Sequence, residues 1–492
     1  MKNERFILAV TIAGVLAIYT ALVFAFFSSE GESRQFYMFL LGMPFAMVLV
    51  IFPRATLIVL ALGAYSFRWL YDTVHALPRE ATWMVDILIM VLVARALLMM
   101  PAQKERIGGV IKYVFVLIAF AVLSTIINRN GQVTFLAGMR IGFRYVLLFV
   151  AAANMNVSIK WLRNYILFLF AIAAVQLPVI VSQFQDIGWT DLDRMSGTFG
   201  YGETPGIGLF LLILDAYLLS KMIEESKFRL SYVVIIFALS TMPIFGEVKF
   251  YFLFLPVLLV FLVRNEVLRR PAVAALVVVA GLSVVLAANF FVVKSGAWVS
   301  GNNPLTLVTK LPEKFNEEVQ KGEQYGYNER GYQYVSSIRL AAASWRTVIF
   351  GNGPGSITDS YISENHSSKL AYYSQWGLTS LRALSIVWLL IEYGYVGVAM
   401  ILFLIYWIYR RGAYLRKSQD LETRVLGRLL ECLALLYGVW QFYESAWQAD
   451  AMSFSFWPLA GLLVGLSYRE EARQRAQALA DIRTAALQSA TA

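Results

Sequence analysis

Cysteine is all but missing from this chain: Cys432 stands alone, so no intrachain disulfide can form. Histidine is nearly as scarce, with only His75 and His366. No spacing of Cys and His could hold a structural metal, and neither a metal nor a cofactor is expected. Charge is the third shortage. Asp, Glu, Lys and Arg make up 15% of the 492 residues, against roughly 25% in soluble chains. That excludes an ordinary soluble domain. Hydrophobic residues fill 59% of positions, and the mean hydropathy is +0.62.

The apolar residues gather in blocks of about 16 to 25, the length a helix needs to cross a hydrocarbon core about 30 Å thick. Backbone polar groups must be paired inside lipid, so these blocks read as helices. The expected spans are 6–27, 36–52, 55–70, 82–100, 111–127, 136–154, 162–182, 205–220, 230–245, 248–263, 272–293, 383–409, 425–443 and 452–468. The fold class is thus an all-α integral membrane protein, a bundle of about fourteen transmembrane helices with a large extracytoplasmic loop containing short helices. Residues 1–293 carry about eleven of these helices and 383–468 about three. Between them runs the loop, 294–382, and a charged, Ala-rich tail, 469–492, follows. The first block follows Lys2 and Arg5, is long, and lacks a small-residue cleavage site, so it reads as a retained helix.

A net charge of +10 can signal nucleic acid, but here the basic residues are scattered in short loops. Membrane orientation accounts for them, and no nucleic-acid partner is expected. Alternate loops on the amino-terminal side hold roughly twenty-three Lys and Arg, and the opposite short loops about five. Such asymmetry implies an even number of spans with both termini cytoplasmic.

Two outer segments, from about Ser182 to Thr204 and from about Lys294 to Arg382, break the pattern of short connections. Long loops in compact proteins are usually functional. In the second, Glu313 to Glu323 reads as a solvated helical face, and Tyr332 to Ile349 as one amphipathic helix. Gly351-Asn352-Gly353-Pro354-Gly355-Ser356 then marks a turn. No internal repeat and no matched pair of broken helices is visible, which counts against a secondary transporter.

Basic residues in the outer segments run against positive-inside sorting, so something must retain them. They are Arg140, Arg144, Arg194, Lys249, Arg330, Arg339, Arg346 and Lys369. Arg140 and Arg144 project from one helix face, either as a pair of guanidinium groups suited to a diphosphate or snorkelling to the interface. Arg194 opens the run Arg194-Met195-Ser196-Gly197-Thr198-Phe199-Gly200-Tyr201-Gly202-Glu203-Thr204-Pro205-Gly206-Ile207-Gly208. Glycines followed by a helix amino terminus make either an anion site or a tight re-entry turn. Lys249 sits in a very short hairpin and could pair with Glu247. His366 is the natural general base, or a structural histidine. Tyr325, Tyr327, Tyr332 and Trp376 either stack on sugar rings or belong to an interfacial belt.

Together these pieces resemble the superfamily of O-antigen ligases and O-antigen polymerases, bacterial glycosyltransferases that use polyprenyl-diphosphate-linked sugars outside the inner membrane. The likeness covers residues 194 to 398. It rests on the Arg194 run, the Lys249 turn, the helix with Arg339 and Trp345, Phe350-Gly351-Asn352-Gly353-Pro354-Gly355, His366, and Glu392-Tyr393-Gly394-Tyr395-Val396-Gly397.

The resemblance implies metal-independent, inverting transfer from a polyprenyl-diphosphate-linked oligosaccharide donor to a lipid-linked acceptor at the periplasmic face. Arg194 would bind diphosphate and take part in catalysis, with Arg140, Arg144, Lys249 and Arg339 as further diphosphate contacts, and His366 would activate the acceptor hydroxyl. Two departures stand out. Lys249 occupies a place where the family commonly has Arg. His366 precedes Glu392 by 26 residues, whereas the family's histidine stands much closer, so either an insertion intervenes or His366 is not that histidine.

The expected activity is polymerisation of O-antigen, capsule or exopolysaccharide repeat units in the bacterial inner membrane, with a chain-length regulator as a further protein partner. A ligase acting on lipid A core is the close alternative, and a lipid-linked sugar flippase or transporter the alternative from another class.

Overall fold

The computed structural model describes residues 51–77, 83–99, 104–188, 194–227, 229–245, 248–264, 311–325, 329–358, 384–447 and 449–491, with isolated positions between 271 and 283. The expected spans 6–27, 36–52 and 272–293 lie wholly or largely outside these residues, as do Glu247, His366, Lys369, Trp376 and Tyr327.

Helices α1 (Pro53–Asp72), α2 (Trp83–Met99), α3 (Lys104–Asn128), α4 (Gln132–Ala153), α5 (Ile159–Ile187), α6 (Thr204–Glu225), α7 (Leu230–Phe245) and α8 (Lys249–Val263) come first. The long segment contributes α9 (Leu311–Tyr325), α10 (Arg330–Ala341) and α11 (Trp345–Phe350). The chain closes with α12 (Ser385–Leu415), α13 (Leu421–Trp440) and α14 (Asp450–Thr491). Among the described residues, α4, α5, α6, α12 and α14 are long and apolar enough to cross a membrane, and shorter apolar helices cover 112–128, 230–245 and 250–263. Among the described residues every element is helical, and these long apolar helices mark a membrane protein.

Composition decides which helix lies at the centre. From Gly206 to Ser220, α6 is buried without interruption, as expected of a helix apolar on every face. The first half of α14 is buried likewise, from Ala451 to Leu466, and packs on α4. There Gly461 faces the Phe149 carbonyl and Gly465 the Ala153 carbonyl so closely that no Cβ would fit. Small residues one helical turn apart let two backbones approach, the usual device where lipid offers no hydrophobic drive.

Ion pairs and hydrogen bonds mark both ends of the bundle. At the lower end Glu224 pairs with Arg424 and Arg428, and Glu431 with Arg264 and Arg416. Arg469 donates to the carbonyls of Met155 and Val157. The upper end is where α1 stops and α2, α4, α6, α12 and α14 begin.

Two expectations change in detail. The helix expected over 332–349 is two helices, because Ser344 forms a capping box with Thr347 and starts α11 afresh. The tail expected from 469 is no separate element: α14 runs unbroken to Thr491. No glycine or proline follows Gly465, and pairs such as Arg475–Glu471 at 2.5 Å support the exposed half.

Candidate active site at the upper end of the bundle

Arg140 and Arg144 lie four apart on α4 and turn to the same carboxylate. Arg140 donates from Nε to Asp86 Oδ2 at 2.9 Å and reaches it again from Nη2 at 2.6 Å. Arg144 donates from Nη1 to Asp86 Oδ1 at 2.9 Å, and from Nη2 to Asp450 Oδ1. The expected pair of guanidinium groups is present, and two carboxylates compensate it. Asp86 lies in the first turn of α2 and Asp450 opens α14, both where helix termini favour negative charge. The Arg144 side chain is 12% exposed, and its buried Nε has no hydrogen-bond partner. A buried donor left over is an invitation to an anionic oxygen.

Beside this network stands Glu203, which immediately precedes α6. Arg68 donates from Nη1 to Glu203 Oε1 at 2.5 Å and from Nε to Asp72 Oδ2 at 3.2 Å. Glu203 Oε2 is buried without a partner. A Cβ built on Gly206 would meet Glu203 Oε2 at 3.2 Å and Ala451 Cβ at 3.6 Å, so the starts of α6 and α14 touch. Burial pushes the Glu203 carboxyl up to about 7, against the pull of the Arg68 guanidinium. A carboxyl poised there can give or take a proton near neutrality.

A third pair completes the rim. Arg330, at the start of α10, reaches Glu444 Oε2 at 3.0 Å and lies 4.0 Å over the Tyr443 ring. Phe250 stacks on that same ring, which brings Lys249, the first residue of α8, to this corner. The Lys249 side chain, and with it the expected pairing with Glu247, lies outside the described residues.

The Arg194 run is a buried plug between α1 and α5. Gln183 brackets Gly197, donating to its carbonyl at 2.9 Å and accepting its N–H at 2.9 Å. Gln176 accepts the Thr198 N–H at 2.7 Å, and the Thr198 hydroxyl donates to the Tyr65 carbonyl at 2.7 Å. These N–H groups are therefore spent on holding the turn. Gly200, at φ 98°, leaves room for the Arg68 stem, which a Cβ would meet at 2.7 Å. The run thus presents Arg68 to Glu203. Arg194 itself is exposed, with its guanidinium 5.9 Å from the Tyr201 ring centre. Arg339 lies exposed in the last turn of α10.

The two glycine motifs of the long segment and α12 lock into each other. Asn352 N–H donates to the Ile391 carbonyl at 2.7 Å and Gly353 N–H to that of Glu392 at 3.0 Å. The buried Glu392 carboxylate accepts from Gly355 N–H at 2.9 Å, Ile357 N–H at 3.2 Å and the Thr358 hydroxyl at 2.7 Å. Gly351 and Gly394, at φ 63° and 66°, face each other backbone to backbone, a conformation and an approach that other residues resist. Side chains of α3 and the turn after it clasp the outside: Ser124 donates to the Phe350 carbonyl at 2.7 Å, and Asn130 to that of Asn352 at 3.1 Å. The clamp fixes Thr358, from which the chain runs into 359–383 and His366.

Of the residues singled out from sequence, Arg140 and Arg144 are brought together, and Arg330 and the Lys249 backbone share a corner. Asp86, Glu203, Asp450, Glu444 and Arg68 were not singled out. The four carboxylates do carry a signal, since each stands at the same end of an apolar block as the outer arginines, while Arg68 falls inside the expected span 55–70 rather than in an outer loop. Another buried acid, Asp215, lies midway along α6 and accepts from the Tyr251 hydroxyl at 2.5 Å, which in turn contacts Ser240 at 2.8 Å.

Among the described residues no group of His, Cys, Asp and Glu is arranged to hold a metal ion. No protein-family model and no curated protein matches this chain.

Proposed function

We propose that the chain is a glycosyltransferase that polymerises polyprenyl-diphosphate-linked saccharide units at the upper face of the bundle. The observation that carries this reading is the convergence of Arg140 and Arg144 on the Asp86 carboxylate beside an orphaned Arg144 N–H. A diphosphate leaving group would exchange with Asp86 and Asp450 for the guanidinium donors, and fixed guanidinium groups stabilise its departing charge without a metal. In this step the acceptor oxygen bonds to the donor's anomeric carbon as the bond from that carbon to the diphosphate oxygen breaks. The acceptor's proton passes to a base. His366 is the base the family resemblance supplies, and Glu203 is the second candidate.

The test is polymer formation from a purified polyprenyl-diphosphate repeat unit, without divalent metal, in detergent. We expect a ladder of longer lipid-linked products from the native chain. Arg144→Ala should lower its rate about a hundredfold, the order seen for a lost transition-state donor, and Arg194→Ala and His366→Ala should abolish it. Loss with Glu203→Gln but not with His366→Ala would move the base to Glu203. If no ladder forms, lipid A core as acceptor tests the ligase. Transport of a lipid-linked saccharide is the second reading, favoured by the intramembrane carboxyl of Asp215, since such groups commonly line transport paths. It predicts no ladder and a defect in flipping for Asp215→Asn.

A further inference from the structure

At the lower end of the bundle lies a cavity of about 500 Å³ that the proposed chemistry does not use. It sits where α1 begins and where α2 and α4 end. Arg54 and Arg95 both line it. Arg54 Nη2 donates to the Asn156 carbonyl at 2.8 Å, and Arg95 Nη1 to that of Ile51 at 3.0 Å. These bonds seat both guanidinium heads at the rim. Arg54 has five N–H donors, so one carbonyl leaves donors over.

The same cavity is lined by Asn154, which is 8% exposed. Its Nδ2 donates to the Val150 carbonyl at 3.2 Å, while its buried Oδ1 has no partner. A buried acceptor without a donor is costly, and a hydroxyl or amine hydrogen would satisfy it. The rest of the lining is apolar, including Phe52, Leu92 and Met99, and none of the described lining residues is acidic. Phe52 and Met99 are 58% and 49% exposed, so the apolar side of the cavity is open and can take an apolar chain.

Two guanidinium groups, one unsatisfied acceptor and an apolar side wall together describe an amphiphile with a phosphate and a neutral hydrogen-bond donor. We infer that this cavity binds the headgroup of an acidic phospholipid, with its phosphodiester at Arg54 and Arg95 and a headgroup hydroxyl donating to Asn154 Oδ1. An ammonium headgroup fits less well, because the guanidinium pair repels it. The inference does not depend on the proposed transfer reaction.

Native mass spectrometry of the purified full chain tests it, with phosphatidylglycerol and phosphatidylcholine of matched acyl chains, and with glycerol 3-phosphate as the acyl-free probe. The expected result is retention of phosphatidylglycerol over phosphatidylcholine by about tenfold, as one charge-assisted contact provides. Arg54→Gln with Arg95→Gln should erase that preference, and Asn154→Leu, which leaves both arginines in place, should reduce it several-fold. Equal retention of the two lipids by the native chain would overturn the inference, as would an unchanged preference in the variants. Full displacement of phosphatidylglycerol by glycerol 3-phosphate would also overturn it, marking a site for soluble phosphates. If the double variant does not fold, the native comparison and Asn154→Leu still decide.

Discussion

At the scale of single residues, the most exacting position is Glu392. Its carboxylate accepts from Gly355, Ile357 and Thr358, and removing it strands buried donors. Glu392→Ala should therefore cost on the order of 3 kcal/mol, read as a fall in thermal unfolding temperature in detergent. Gly351→Ala should cost about 1 to 3 kcal/mol from its positive-φ backbone, a region essentially reserved for glycine, and more from the Glu392 backbone, which a Cβ would meet at 2.5 Å. Glu203 gives a pH dependence. Its folded carboxyl titrates at about 7, against 4.5 for the free side chain. Between those values the folded chain keeps a proton that the unfolded chain has released. Stability from this group is full below the lower value, falls as pH rises through the window, and levels off above it. Comparing unfolding at about pH 5 and about pH 8 should show this slope in the native chain and its loss in Glu203→Gln. Arg140, Arg144 and Arg330 are legible in sequence, because positive charge on the positive-poor side is conspicuous, whereas Arg68 falls inside the expected span 55–70 and is not. Their carboxylate partners were not: acids carry little weight in membrane sorting, and contacts such as Arg68 with Glu203 join distant parts of the chain.

Helices were easier to read than side-chain pairing. The block at 230–245 coincides with α7, and most others shift by a few residues, because an apolar run is terminated by the same charged loops that terminate the helix. What the apolar pattern did not reveal was where a helix stops without a change of polarity, as at Ser344, or continues through one, as beyond Tyr468. Hydropathy reports the solvent, whereas caps and breakers decide the backbone. The contact of α4 with α14 was equally hidden, since Gly461 and Gly465 look ordinary until the neighbour is known. Gly461→Leu should force these helices apart and carry Asp450 from Arg144. We expect a sharply lowered yield of folded protein by size-exclusion chromatography. Gly109→Ala, where a Cβ would meet only the Tyr468 hydroxyl at an ordinary 3.7 Å, should leave the yield unchanged.

For the molecule as a whole, the scarcity of cysteine becomes an instrument. Cys432 is fully buried, so background labelling by a maleimide should be low. Single cysteines at Arg194 or Ser344, at the upper end, should react with a membrane-impermeant maleimide in intact cells. One at Gln477, on the exposed half of α14, should react only after permeabilisation. The reverse pattern would invert the orientation read from the loop charges and place the Arg140–Arg144 network on the cytoplasmic face. The mutual lock of Gly351 and Gly394 has a consequence at this scale too. Thr358 is held by Glu392 of α12, and Leu384 by Gln333 of α10 through a 3.0 Å bond. The two points between which the chain must carry His366 are thus staked to different helices, and loosening either stake would move the reach of that side chain without touching the histidine itself.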